Sequence, residues 1–218
     1  MAEAGLRINT VSCLFCEHET KNHNCLSSGR YCPVSPREAL PFDLVKATGR
    51  QVLEESLRQK CIMLSERSVK SAKQTQENFF NYIESYRSAC NTLDKYSKQF
   101  CSYETMRSVG IDGEKVFECV ENSFETAGDR SSDNVLLKAD QELVEQLGVY
   151  MNPSMTVNNV TYRGYLDGHD LFLTICQTFV SPKPQACKVQ QAEHVDKVIK
   201  DGLAKNMTSE EMKKTIQD

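Results

Sequence analysis

Cys13 and Cys16, in the string CLFC, are the residues of this 218-residue chain whose type and spacing most directly suggest chemistry. Two thiols separated by two residues can close and reopen a disulfide. One attacks a substrate bridge, and the other resolves the mixed disulfide that results. A helix beginning directly behind such a pair stabilises the attacking thiolate through its dipole and lowers the thiol pKa. On that reading Cys13 is the nucleophile and Cys16 the resolving thiol. The same cysteines admit two other readings. With Cys25 and Cys32, and with His18 and His23 between them, they supply ligand types for a tetrahedral zinc ion, although the spacing fits no standard finger. They can equally be structural staples, paired with one another or with distant partners.

The elements that would position the pair can be read from the chain on either side. Leu6, Ile8 and Thr10 alternate with Arg7 and Asn9, which predicts a short strand over residues 6–11 that ends at CLFC. Far downstream, residues 152–166 read NPSMTVNNVTYRGYL. Here Pro153 opens a β-prone run, Asn158 and Asn159 offer the positive-φ positions of a tight hairpin, and Val160, Tyr162 and Tyr165 form the returning strand. A helix over residues 167–179 follows, with Leu171, Phe172, Ile175 and Phe179 at helical spacing. Proline, strand, turn, strand and helix is the order of the C-terminal half of a thioredoxin-like fold. There the proline is cis and shapes the cleft beside the thiol site, at a cost of only about 0.5–1 kcal/mol over trans. Pro153 is therefore the candidate cis proline, the alternative being that it merely stops a helix ending near Gly148.

Between these halves the pattern is helical. Thr48 is a suitable N-cap for a helix burying Val52, Leu53, Leu57, Cys61 and Leu64. The polar run SERSVKSAKQTQ is a break or an exposed face, and Phe79, Phe80, Ile83 and Tyr86 then form an aromatic stripe expected in the core. Cys90 and Cys101 bracket a further stretch with Leu93, Tyr96 and Phe100 on its apolar side, and Gly110 is a natural stop. A short helix carries Val116, Phe117, Cys119 and Val120. Ser132 or Asp133 caps another through Leu136, Leu137, Leu143, Val144 and Leu147. The expected class is α/β, a disulfide-rich thioredoxin-like fold over residues 1–187 with a large helical insertion at about 48–147. Residues 188–218, polar and opened near the end by a Thr208 to Glu211 capping box, read as a helical tail or linker.

Composition narrows the setting. A formal charge of -4 without a basic block argues against a nucleic-acid partner, and no apolar run approaches the roughly 20 residues of a membrane span. Ten cysteines spread along the chain favour disulfides and a secretory-pathway lumen or the extracellular space over the cytosol. The opening MAEAGLRINTV has no signal-peptide pattern, so the chain is expected to be a fragment whose leader and upstream domains lie elsewhere. In a lumenal setting, Asn159 and Asn206 are glycosylation acceptors. No cofactor is expected from the motifs of the sequence.

Six strings carry a resemblance. SGRYC (28–32), LRQKC (57–61), SVGIDGEKVFEC (108–119), DNVLLKADQE (133–142), NPSMTVNNVTYRG (152–164), and ICQTF with AC around Cys176 and Cys187, resemble in the same order the central lumenal region of plant-type vacuolar sorting receptors. The resemblance implies a receptor module of the secretory pathway. Members of that family are membrane proteins with a protease-associated domain, this central region, growth-factor-like repeats, one span and a cytosolic tail, and they bind the sorting signals of soluble cargo. The family's aromatic-rich stretch after the cysteine matching Cys61 is replaced here by a Lys/Ser/Gln-rich helix. Its signal-binding residues lie chiefly in the protease-associated domain, so none is carried over. The resemblance further implies that Cys25, Cys32, Cys61, Cys90, Cys101, Cys119, Cys176 and Cys187 are structural, leaving Cys13 and Cys16 for any chemistry.

The expectation is thus a non-catalytic module acting as scaffold or as a surface for a protein or peptide partner, such as sorted cargo or adjoining receptor domains. The alternative is a thiol-disulfide oxidoreductase using Cys13, Cys16 and Pro153. A non-reducing peptide map with differential alkylation separates them. The redox reading predicts a Cys13–Cys16 bridge that mild reductant opens first, with Cys13 alkylating below about pH 7. A covalent link from either residue to Cys25, Cys32 or a more distant cysteine sinks it.

Overall fold

The computed structural model describes residues 12–14, 16–33, 47–92, 94–149, 154–163 and 166–189, and positions 200, 205, 207, 208, 210 and 211. The strand read over residues 6–11, Pro153, Asn206 and most of the tail lie outside the described residues. The chain divides into two compact units, Met1–Tyr150 and Met151–Asp218. Among the described residues helices dominate, the sheet is one small hairpin, and five disulfides pair all ten cysteines.

The first unit is built on α2 (Gly49–Arg67), which contacts α1 (His18–Asn24), α3 (Ala72–Ala89) and α5 (Gly113–Asn122). Thr48 and Gln51 close a reciprocal capping box at its start, with N–H to side-chain oxygen distances of 3.2 and 2.9 Å. The polar run is a break: α2 ends at Arg67, and Ser71 caps α3 by accepting from the Gln74 N–H. Leu53, Leu57, Cys61 and Ile62 are fully buried, whereas Leu64, expected on the same face, is 44% exposed.

What distinguishes α2 is the charge it carries inward. Glu55 and Arg58 are both buried and form an ion pair. Arg58 also donates to the Ser102 hydroxyl (2.9 Å), the Ser97 carbonyl (2.7 Å) and the Ser97 hydroxyl (2.9 Å). Glu55 accepts from Tyr82 (2.9 Å), Gln59 (3.2 Å) and Ser102 (3.3 Å). Burial raises the Glu55 pKa above the ordinary carboxylate value, opposed by Arg58 and the donors around it. A second buried pair, Lys60 with Asp140, ties α2 to α6 (Val135–Gln146). Glu66 accepts from Asn78 of α3 at 2.5 Å and pairs with Lys70 at 2.7 Å.

This polar interior corrects the expected aromatic stripe at one position. Tyr86 is buried and Phe79 and Ile83 pack against the core, but Phe80 is 63% exposed, and Tyr82, outside the stripe, is fully buried. The tyrosines go in because each hydroxyl has a partner there, Glu55 for Tyr82 and the Ser97 N–H for Tyr86 at 2.8 Å. The stretch after Cys90 is not helical either. It runs through turns and a positive φ at Ser97 before α4 (Gln99–Ser108) begins, which leaves Phe100 76% exposed. Leu93 lies outside the described residues. Gly110, at φ +74°, ends the α4 segment, and Asp112 caps α5 by accepting from the Lys115 N–H. The cap of α6 is Asn134, not Ser132 or Asp133. Its side-chain oxygen accepts from Leu136 and Leu137 at 3.1 and 3.0 Å, and its amide donates to Ser123 at 2.8 Å. Cys61–Cys119 joins α2 to α5, and Cys90–Cys101 joins the end of α3 to α4. Bridges of this kind contribute about 2–4 kcal/mol each.

In the second unit, β1 (Thr156–Val157) pairs antiparallel with β2 (Val160–Thr161) in the register Thr156 to Thr161 and Val157 to Val160. Asn158 and Asn159 hold φ values of 51° and 63°, the left-handed pair of a type I′ turn. Asp167 caps α7 (Gly168–Gln177) through the N–H groups of His169 and Asp170. Cys176–Cys187 then closes the loop behind α7. Thr208 and Glu211 form a capping pair in the tail.

Removing one member of a buried ion pair strands the other in the interior. Arg58→Ala is expected to cost about 3–5 kcal/mol of stability, measured by urea unfolding at neutral pH. A loss below about 1 kcal/mol, the range of exposed pairs, would show that Glu55 is not held by Arg58.

Candidate functional site

The cysteines singled out for chemistry form a small core of their own. Cys13, Cys25 and Cys32 are buried together with Cys16 packed against them, and the bridges are Cys13–Cys16 and Cys25–Cys32. All four sulfurs are thus used in bridges, and among the described residues no cluster of His, Cys, Asp or Glu could hold a metal ion. The Cys13 N–H donates to the Gly29 carbonyl at 2.7 Å, and the Cys16 N–H to the Cys13 carbonyl at 3.1 Å. Gly29 sits at φ +91°, and a Cβ there would lie 2.9 Å from the Cys13 carbonyl oxygen, so the close approach requires glycine.

The pair does not stand at a helix start in the way the thiolate argument needs. α1 is only seven residues long, its N-cap is Glu17, and Cys13 lies four residues before that cap. Cys13 is 9% exposed, and Cys16 is the more accessible of the two. Pro153, the third member of the redox reading, lies outside the described residues.

The loop closed by Cys25–Cys32 is tied to the segment before α6. Leu26 and Tyr31 pair across it, with N–H to carbonyl distances of 2.9 and 3.3 Å, around a 3-10 turn over Ser27–Gly29. The Ser27 N–H donates to the Arg130 carbonyl at 2.9 Å and the Ser28 hydroxyl to the Ser131 carbonyl at 3.1 Å. Tyr31 donates to Asp133 at 2.7 Å, and Arg30 pairs with the other carboxylate oxygen at 2.5 Å. Burial pushes the Tyr31 phenol up, and the carboxylate beside it adds to the rise. Burial also works to raise Asp133, but donation from Tyr31, the Asn134 N–H and Arg30 outweighs it and leaves the carboxyl below its ordinary value. Tyr31 lies in SGRYC and Asp133 in DNVLLKADQE, about a hundred positions apart, so their meeting is a feature of the fold and not of local sequence.

Phe100 marks a different surface. It lines two concavities, one of about 640 Å³ with Gln99, Tyr103, Glu114 and Phe117, and one of about 500 Å³ with Lys95, Lys98, Glu104 and others. The Tyr103 and Phe117 rings stack at 6.1 Å in the first. The sequence concealed this face, because helical spacing from Cys90 placed Phe100 inside.

A disulfide-stapled, helix-rich domain with a CxxC bridge and a small hairpin is the class these features define. The model of the vacuolar sorting receptor thioredoxin-like domain matches residues 7–176, and the chain belongs to that family. Vacuolar-sorting receptor 1 of Pisum sativum is 28% identical over 180 residues, covering 78% of this chain and 26% of the relative. Vacuolar-sorting receptor 5 of Arabidopsis thaliana is 27% identical over 187 residues, covering 82% and 28%. Vacuolar-sorting receptor 6 of the same plant is 29% identical over 164 residues, covering 71% and 23%. The chain therefore spans about a quarter of the length of these relatives. Family and bridges together point to the secretory pathway or the extracellular space. Among the described residues no helix is long and apolar enough to cross a membrane.

The lowered Asp133 pKa fixes a pH dependence. A depressed carboxylate stabilises the fold above its unfolded value, about 3.9, and the contribution is lost as pH falls through the lower folded value. Asp133→Asn is therefore expected to be less stable than the parent to a similar degree at pH 7 and pH 5, with the gap closing only below about pH 4. Thermal unfolding across that range checks it, and a gap that closes near pH 6 would contradict the assignment.

Proposed function

We propose that this chain is a non-catalytic thioredoxin-like module of a vacuolar sorting receptor-like protein, serving secretory-pathway sorting as a scaffold with a protein-binding surface. The observation that carries the reading is the family match over residues 7–176. The burial of Cys13 under Gly29, and its place four residues ahead of the α1 cap, support a stapling role over a nucleophilic one. Residues 1–187 are taken as the module and 188–218 as a tail or linker. The partner is a protein, either sorted cargo or a neighbouring receptor domain, and the face around Phe100 offers it an exposed aromatic anchor beside two concavities.

A thiol-disulfide oxidoreductase is the second reading, and one observation favours it: Cys13 and Cys16 are bridged to each other and not to Cys25 or Cys32. Turnover decides between the two. With a disulfide-bonded protein substrate and a glutathione buffer, the chain and its C13S/C16S variant are expected to give the same background rate. A rate at least tenfold higher in the parent and absent from the variant establishes the enzyme instead. On the binding side, Phe100→Asp is expected to weaken association with a peptide bearing a vacuolar sorting signal or with the adjoining receptor domains by about 30-fold or more, equivalent to the loss of an interface hot spot of about 2 kcal/mol. Unchanged binding removes this face from the proposal.

A further inference from the structure

We infer that Asn159 at the tip of the β1–β2 hairpin is a site of N-linked glycosylation. The sequence Asn159-Val160-Thr161 is an acceptor triplet, whereas Asn152-Pro153-Ser154 is barred by its proline. The fold adds what the triplet lacks. Asn159 is exposed, it is the second residue of a two-residue turn at φ 63°, and Val160 beside it is 68% exposed. A bulky hydrophilic group attached here meets solvent, and β2 keeps its pairing with β1 through Val157 to Val160 and Thr156 to Thr161.

The chemistry is a transfer without redox change. The Asn159 side-chain nitrogen bonds to C1 of the sugar of a lipid-pyrophosphate-linked oligosaccharide. The C1–O bond to the pyrophosphate breaks, the lipid pyrophosphate leaves with that electron pair, and the amide proton passes to a base of the transferase. The hydroxyl of Thr161 is the part of the triplet that the transferase reads. The attached chain would also shield Val160, an apolar strand position of the kind through which exposed ribbons associate.

The inference rests on the lumenal setting proposed above, and the test keeps the two apart. The chain is expressed behind a secretory leader in eukaryotic cells, with Asn206 changed to Gln so that one acceptor remains. Secreted protein with closed bridges is collected, which itself examines the setting. Treatment with a glycan-removing amidase and mass spectrometry of the tryptic peptide 139–163 is expected to show Asn159 converted to Asp. Thr161→Ser keeps the glycan. Thr161→Val, which preserves the β-branched strand residue, loses it and removes a single-glycan mass shift from the intact protein. Recovery of peptide 139–163 from secreted, fully bridged protein in unmodified form alone overturns the inference, as does a mass shift that survives Thr161→Val.

Discussion

The buried pair of Glu55 and Arg58 is the constraint on which the first unit depends. A guanidinium in the interior must find an acceptor for nearly every donor it presents, and Arg58 finds them on three separate pieces of chain: Glu55 on its own helix, Ser102 on α4, and Ser97 in the turn between α3 and α4. Meeting that demand draws the Ser97 backbone inward at a positive φ. Once Ser97 is fixed, α4 starts at Gln99, Cys101 is in place to bridge Cys90, and Phe100 faces outward. A single charged side chain thus sets the register of an element some 40 positions away and exposes the aromatic residue of the proposed binding face. Apolar residues in the same interior would bury well, but they would not specify where the turn must stand.

The strings that identify the family turn out to be the places where the fold is tied. SGRYC meets DNVLLKADQE through Tyr31, Arg30 and Asp133. LRQKC meets the same string through Lys60 and Asp140, and meets SVGIDGEKVFEC through Cys61 and Cys119. Residues that must satisfy one another in the interior cannot change singly without leaving an unpaired group, which costs more than a mispacked methyl. The resemblance therefore follows the contacts that tie the fold together. The Lys/Ser/Gln-rich departure falls at the break between α2 and α3 and on the first turns of α3, where solvent and not a partner side chain surrounds much of the surface.

Local signals were legible in the sequence where one short stretch carried the whole physical reason. Thr48 caps α2, the polar run breaks the helix, two adjacent asparagines make the hairpin turn, and Asp167 starts α7. What was not legible depended on partners remote in the chain. Helical period placed Phe79, Phe80, Ile83 and Tyr86 inside; Tyr86 is buried and Phe79 and Ile83 pack against the core, but Phe80 is exposed and Tyr82, outside that stripe, is buried with its hydroxyl on Glu55. Asn134 rather than Asp133 caps α6 because Asp133 is engaged by Tyr31 and Arg30, a contact spanning about a hundred positions. The α/β class was expected from the order of proline, strand and turn, whereas among the described residues the fold is helix-rich with a sheet of two short strands.

The CxxC bridge shows how one geometry serves two ends. An exchange site needs a sulfur that is both reachable and activated, and activation comes from a helix start or a neighbouring cation. Around Cys13 the chain does something else: the Gly29 carbonyl takes its N–H, and the Cys25–Cys32 bridge packs against it. Among the described residues of this N-terminal piece Leu26 and Tyr31 pack into the main core and Leu14 is half-exposed, and the disulfides make a small core of their own. Two adjacent bridges around one glycine are such a core. The shorter loop of Cys13–Cys16 removes less freedom from the unfolded chain than Cys61–Cys119 does, so its value lies in covering Cys25–Cys32 and fixing the approach to α1. The bridge thus has little entropic worth, and Cys16 is the more accessible of its two residues.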